Sequence, residues 1–115
     1  LYASWKAANP ALATDLENAK AKKYPKAAEV LAAIPAYDSA KNVATRQSGS
    51  DILQHVAKLI PNYVSGSADL HGSNKNYIAG GENFGNPTIK GKSFSGRNFY
   101  FGIREHAMGA MLNGN

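Results

Sequence analysis

The sequence predicts an α/β fold, a partial parallel sheet preceded by a helical segment. Three observations carry this. From residue 42 onward the chain reads helix, strand, loop, strand, helix, and short apolar strands with helical neighbours are the pattern of a parallel sheet. Residues 1–35 read as helical pieces punctuated by Pro10, Pro25 and Pro35. The apolar share is 43%, enough to build a core and too much for a chain disordered by composition.

Trp5, Ala8, Leu12 and Leu16 are spaced for one helix face over residues 1–24. Asn9-Pro10 resembles an N-cap with Pro at the first helical position, so a restart is expected there. "AKAKKYP" gives a basic helix end and then a stop at Pro25. "PKAAEVLAAIP" predicts a short helix or packed linker, and residues 36–41 a turn that serves as the domain boundary. The strongest helix runs over 42–60, with Val43, Ile52, Leu53, Val56, Leu59 and Ile60 on its apolar face. Gly49 weakens its middle by about 1 kcal/mol relative to Ala, and Pro61 ends it.

A strand is expected over Tyr63–Ser65, followed by a long loop. Seven of the 11 glycines fall between 66 and 97, and structureless loops beyond roughly 15 residues are often functional. A strand over 98–103 and a helix over 105–113 complete the order. Ligands of parallel sheets bind beyond the carboxyl ends of the strands. "GSADLHGSN" and "REHAM" fall there.

Lys and Arg number 13 against eight Asp and Glu, a formal charge of +5 with pI ≈ 9.5. Such mild basicity suits any anionic ligand, phosphate esters included, and does not choose among them. No cysteine is present, which excludes disulfides and thiolate metal sites. No stretch approaches the roughly 20 apolar residues of a membrane span. The start lacks the plan of a signal peptide, so a cytoplasmic protein with no membrane partner is expected. Leu1 opens mid-pattern and "NGN" follows a helix-like run, so a piece of a longer protein is expected.

Glu105 is the first candidate. An acid at a helix start is ordinarily mere dipole decoration. Its setting argues for more. Ala107, Gly109, Ala110 and Gly114 allow close approach, while Met108, Met111 and Leu112 predict a buried helix. A partly desolvated carboxylate there would share a proton near neutral pH. The loop 66–74 could hold phosphate through backbone N–H groups and Ser hydroxyls. As an ordinary turn it would need Asp69 only as its cap. Arg46, early in the 42–60 helix, is a surface residue unless a phosphate lies near, where it would clamp the anion with two N–H groups. His55, His71 and His106 show no His-x-x-x-His spacing and predict no metal site. Phe99 and Phe101 share a strand face, with Tyr100 opposite. Basic residues interleaved with aromatics also suit an RNA-binding strand, but the glycine spacing and element order fail, and a buried strand explains the aromatics better.

Together, "YASWKAANPALATDL", "VATRQSGSDILQHVAKLIPNYVSGSADLHGSN" and "FYFGIREHAMGAMLNG" resemble transketolase, a thiamine diphosphate-dependent family, in the right order and over nearly the whole chain. The resemblance implies the thiamine diphosphate-binding fold. Residues 1–40 would be the last helices of the diphosphate-binding domain plus linker, and 41–115 the start of the pyrimidine-binding domain. It implies transfer of a two-carbon ketol unit between sugar phosphates in the pentose phosphate pathway. A homodimer is implied, with thiamine diphosphate and Mg²⁺ or Ca²⁺ bound through ligands outside this chain.

Glu105 matches the Glu that hydrogen-bonds N1′ of the cofactor's aminopyrimidine and so helps C2 lose its proton. Arg46 and Ser73 match residues gripping substrate phosphate, and Asp69 an acid near the cofactor at the subunit interface. Loop 75–97 matches nothing in the family pattern, and Ser48-Gly49-Ser50 is looser than usual. Two relatives, dihydroxyacetone synthase and deoxyxylulose-phosphate synthase, share the chemistry. A small RNA-binding module using Phe99 and Phe101, and a non-catalytic module docking through the 1–24 helix, are the alternatives from other classes. The transketolase reading expects no nucleic-acid partner.

Overall fold

The computed structural model describes residues 1–114. Two short helices, α1 (Tyr2–Ala8) and α2 (Pro10–Lys20), meet at Asn9. The break is local chemistry. Pro10 lacks an N–H and disfavours helical backbone in the residue before it, and Asn9 turns out of the helix while its side-chain amide donates to the Trp5 carbonyl at 3.0 Å. The break shifts the helical phase, so the expected apolar stripe does not form. Trp5, Leu12 and Leu16 are exposed, and Ala13 is the buried residue of α2. Helix α3 (Ala27–Ala33) lies between the prolines as expected. Glu29 accepts the Lys26 N–H at its start.

Helix α4 (Thr45–Leu59) forms through Ser48-Gly49-Ser50, where Ser48 Oγ donates to the Thr45 carbonyl. It begins three residues later than predicted. The expected strand at 63–65 is displaced: β1 is Ser65–Ser67. The cause is Arg97. Its guanidinium donates to the carbonyls of Ala57, Ile60 and Tyr63 at 2.8–3.0 Å. Tyr63 therefore gives its acceptor to a side chain, and pairing starts two residues later.

The segment predicted as one long loop contains α5 (His71–Asn74), β2 (Asn83–Phe84) and β3 (Lys92–Ser93). Strand β4 is Asn98–Tyr100, shorter than the predicted 98–103, and α6 is Glu105–Asn113 as predicted. All pairs are parallel, in the order β1-β4-β2-β3, so the last strand in sequence lies between the first two. Ser65 stands opposite Asn98 and Ser67 opposite Tyr100.

Among the described residues the buried apolar side chains are Ala13, Ala57, Ala68 and Ile78. The sheet is held as much by polar side chains. Asn98, with no exposed surface, accepts the Ile78 N–H at 2.7 Å and donates to the carbonyls of Ile78 and Glu82. Gln54 of α4 brackets the same turn, donating to the Tyr77 carbonyl and accepting from the Ala79 N–H. On one sheet face Phe99 stacks on Phe84 at 4.4 Å and on Phe101 at 6.3 Å. Tyr100 faces the other way, against His71. Phe99 thus spends its ring on neighbours within the chain. No helix among the described residues is long and apolar enough to cross a membrane.

Candidate active site

The chain leaves β1 and β4 side by side and in the same direction, so both carboxyl ends open on one edge. After β1 comes Asp69, in left-handed backbone (φ 66°). That region is uncommon for residues other than Gly, although Asp tolerates it. The turn is closed by Ser67 Oγ, which accepts the Leu70 N–H at 3.1 Å. The expected capping role of Asp69 therefore belongs to Ser67, which is buried and fixed, while Asp69 stays exposed. Ser73 follows in α5 and is exposed.

After β4 the chain turns at Gly102 (φ 64°), where a Cβ would lie 2.6 Å from Arg104 Nη1. The Arg104 guanidinium donates to the Phe101 carbonyl at 2.8 Å. Arg104 is the N-cap of α6, and Glu105 its first residue. The favourable place of an acid at a helix start is thus realised. The expected burial is not. Glu105 is exposed, and Met111 and Leu112 are 57% and 68% exposed. The apolar side of α6 borders an open groove of about 480 Å³, lined with Val64, Phe99, Phe101 and Met108. None of the described residues covers it. Glu105 opens instead on a shallow cavity of about 400 Å³ with His106, Gly109, Ala110 and Asn113. A Cβ at Gly109 would meet nothing within 4 Å, so this helix face is free for a second body.

Arg46 is the second residue of α4 and is exposed. Gln54 and Arg97 fasten the later half of α4 to segments at the amino edge of the sheet. The eight residues from Gln54 back to Arg46 span about 12 Å of helix, against roughly 3.3 Å per residue along the short strands. Arg46 therefore lies about two helical turns from those fastenings, and Asp69, Ser73 and Glu105 emerge at the carboxyl edge. The two ion pairs among the described residues, Lys20–Glu17 and Lys41–Asp38, involve none of these four. The carboxyl edge thus offers the Ser73 hydroxyl and the carboxylates of Asp69 and Glu105. Among the described residues no group of three or more His, Cys, Asp or Glu side chains could hold a metal ion.

Three side chains that hold the elements around the sheet together escape a reading of the sequence. Arg97 looks like one more basic residue and is a triple carbonyl donor. Asn98 carries one faint signal, a polar residue opening an aromatic strand. His71 is buried, 7% exposed. His55 is the satisfied helix histidine expected, with Nδ1 2.7 Å from the Asp51 carbonyl oxygen.

Comparison with known proteins gives one answer. The family described as the transketolase pyrimidine-binding domain matches residues 41–115. The transketolase of Physarum polycephalum is 52% identical over 114 residues, covering 99% of this chain and 16% of that protein. That of Geobacillus stearothermophilus is 44% identical over 112 residues, covering 97% and 16%. A crystal structure of the Pichia stipitis transketolase, in complex with sedoheptulose-7-phosphate, superposes with a TM-score of 0.83 at 34% identity, over 98% of this chain and 17% of that one. The Leishmania mexicana transketolase gives 0.78 at 33% identity, over 97% and 16%.

Proposed function

The chain belongs to the transketolase family, and on that premise we propose that it is part of an enzyme moving a two-carbon ketol unit from a ketose phosphate to an aldose phosphate. In this reading residues 1–40 close the diphosphate-binding domain and 41–115 open the pyrimidine-binding domain. The chain spans 16% of the length of the Physarum protein, so the rest of the site belongs to segments beyond it.

The observation that carries the proposal is the pairing of β1 with β4, which gives Asp69, Ser73 and Glu105 a common edge. The residues present fit thiamine diphosphate at that edge. Glu105 is an accessible carboxylate with no ion-pair partner among the described residues, on a helix face kept small by Gly109 and Ala110. When bound, the cofactor supplies the electron sink for breaking and making the carbon–carbon bond. The part of Glu105 is to hold or share a proton at the pyrimidine N1′. Arg46 grips the substrate phosphate with a fork of N–H donors, and Ser73 adds a hydroxyl. Asp69 supports the cofactor at the subunit interface. The parent is a cytoplasmic homodimer in which Glu105 serves cofactor held by the other subunit, and its Mg²⁺ or Ca²⁺ ligands lie outside this chain. The Pichia stipitis complex with a sugar phosphate supports the substrate class.

The test is Glu105→Gln in the full-length protein. Because Glu105 is exposed, folding should be unchanged, while ketol transfer falls about 10²- to 10⁴-fold. Unchanged turnover would overturn the assignment. The 115-residue chain alone should show no turnover, and measurable transfer by it would refute the reading as a part.

A further inference from the structure

Among the described residues His71 is the one buried titratable side chain at the carboxyl edge, and the mechanism above does not use it. It lies in the middle of the segment carrying Asp69 and Ser73, yet its contacts are made elsewhere. Its Nε2–H donates to the Phe99 carbonyl of β4 at 3.0 Å. Its Nδ1 lies 2.9 Å from the Asn76 side-chain oxygen. Asn76 in turn donates to the Gly66 carbonyl of β1, and its own carbonyl accepts from Ser65 Oγ. The imidazole lies between two aromatic rings, Tyr100 at 4.5 Å and Tyr77 at 5.9 Å between ring centroids. The ring is therefore fixed at both nitrogens and on its flanks. Through it the 68–76 segment is fastened to both strands whose ends form the site.

We propose that His71 is a positioning residue: it sets the height and orientation of Ser73 relative to β4. It does not touch substrate or cofactor. Ser73 has no such tether of its own, being exposed two residues further along α5. The inference rests on the phosphate role proposed for Ser73.

The conservative variants separate the parts of the argument. A Gln amide reaches as far as Nε2 and preserves the bond to the Phe99 carbonyl, whereas an Asn amide reaches only as far as Nδ1. In the full-length enzyme, kinetics are measured for His71→Asn, His71→Gln and Ser73→Ala, with a phosphorylated sugar and with its phosphate-free analogue. His71→Asn should raise KM for the phosphorylated sugar about three- to tenfold, the worth of one hydrogen bond. Its kcat and its KM for the phosphate-free sugar should stay as in the parent, and His71→Gln should restore the lost KM. If Ser73→Ala raises KM while both His71 variants match the parent, the His71 inference is wrong and the phosphate site stands. Equal losses on both sugars would reduce His71 to general support of the fold and overturn it too. A Ser73→Ala enzyme with unaltered KM would remove the phosphate role itself, and the inference with it.

Discussion

Replacing Asn98 by alanine removes three hydrogen bonds at once from a side chain with no exposed surface. The cost depends on what the abandoned partners can do. Ile78 is 2% exposed, so its N–H is left with neither a partner nor a path to water. An orphaned group of this kind costs about 1–3 kcal/mol. The two carbonyls fare better, because that of Ile78 keeps the Gly81 N–H at 3.0 Å and that of Glu82 keeps the Asn98 backbone N–H at 3.1 Å. The total is about 1–3 kcal/mol, roughly fivefold to 150-fold in local opening. Amide hydrogen exchange in the full-length protein reads this directly at Ile78. Exchange there should accelerate by that factor, with smaller changes in α2. Asn98→Asp should fail as well, since it keeps one acceptor and sets its second oxygen against two carbonyls. Ile78 exchange within about threefold of the parent in Asn98→Ala would refute the reasoning, because an opening free energy that small cannot include an orphaned N–H.

Two further outcomes follow from the same structure. A Cβ at buried Gly96 would lie 2.2–2.4 Å from backbone atoms of Asn83 and Phe84, far inside the 3.5–4.0 Å of ordinary carbon contact. Gly96→Ala should cost about 1–3 kcal/mol by displacing β2, and an unchanged Tm would refute that contact. At the other end of the chain, the Tyr2 hydroxyl donates to Glu17, and this bond, with Lys20 nearby, holds the Glu17 carboxyl below its ordinary value of 4.5. The same bond pushes the Tyr2 hydroxyl up from 10.0. The contact is therefore in place at neutral pH. It is lost as pH falls through the depressed Glu17 value, and again as pH rises through the elevated Tyr2 value. Trp5, the single tryptophan, stacks on Tyr2 at 5.9 Å and reports both changes by fluorescence. Emission that stays flat on acidification well below 4.5 would contradict the contact.

Much of the fold was legible because local rules decided it. Asn9-Pro10 breaks a helix by backbone sterics alone, and Pro25, Pro35 and Pro61 bound their segments for the same reason. The alternation of Phe99, Tyr100 and Phe101 gave the two faces of β4 correctly, since side chains alternate along any strand. What failed depended on distant partners. The start of β1 is set by Arg97, more than 30 residues away in sequence, and no window around Tyr63 contains that information. Strands of two residues, such as β2 and β3, have no periodicity to detect. The exposure of α6 was misjudged because an apolar helix was assumed to have a cover. At the candidate site, types and order of residues were legible in "GSADLHGSN" and "REHAM", but the anchors were not. His71 looked like a loop histidine, and only the neighbouring strand shows that its ring is a fastener.

The sheet order sets a timetable for synthesis. Strand β1 pairs with β4, and β4 also separates β1 from β2. When Ser65–Ser67 leave the ribosome, their partner has not been made. At about 5–20 residues per second, the intervening thirty or so residues take roughly two to six seconds. Throughout that interval β1 lacks its β4 neighbour, and among the described strands β2 and β3 can pair only with each other. Arrival of β4 closes both gaps together and brings Arg97 to the end of α4 in the same event. A ribosome stalled shortly before residue 98 would hold a nascent chain with strand edges still free, and one stalled after α6 has emerged would hold the joined sheet.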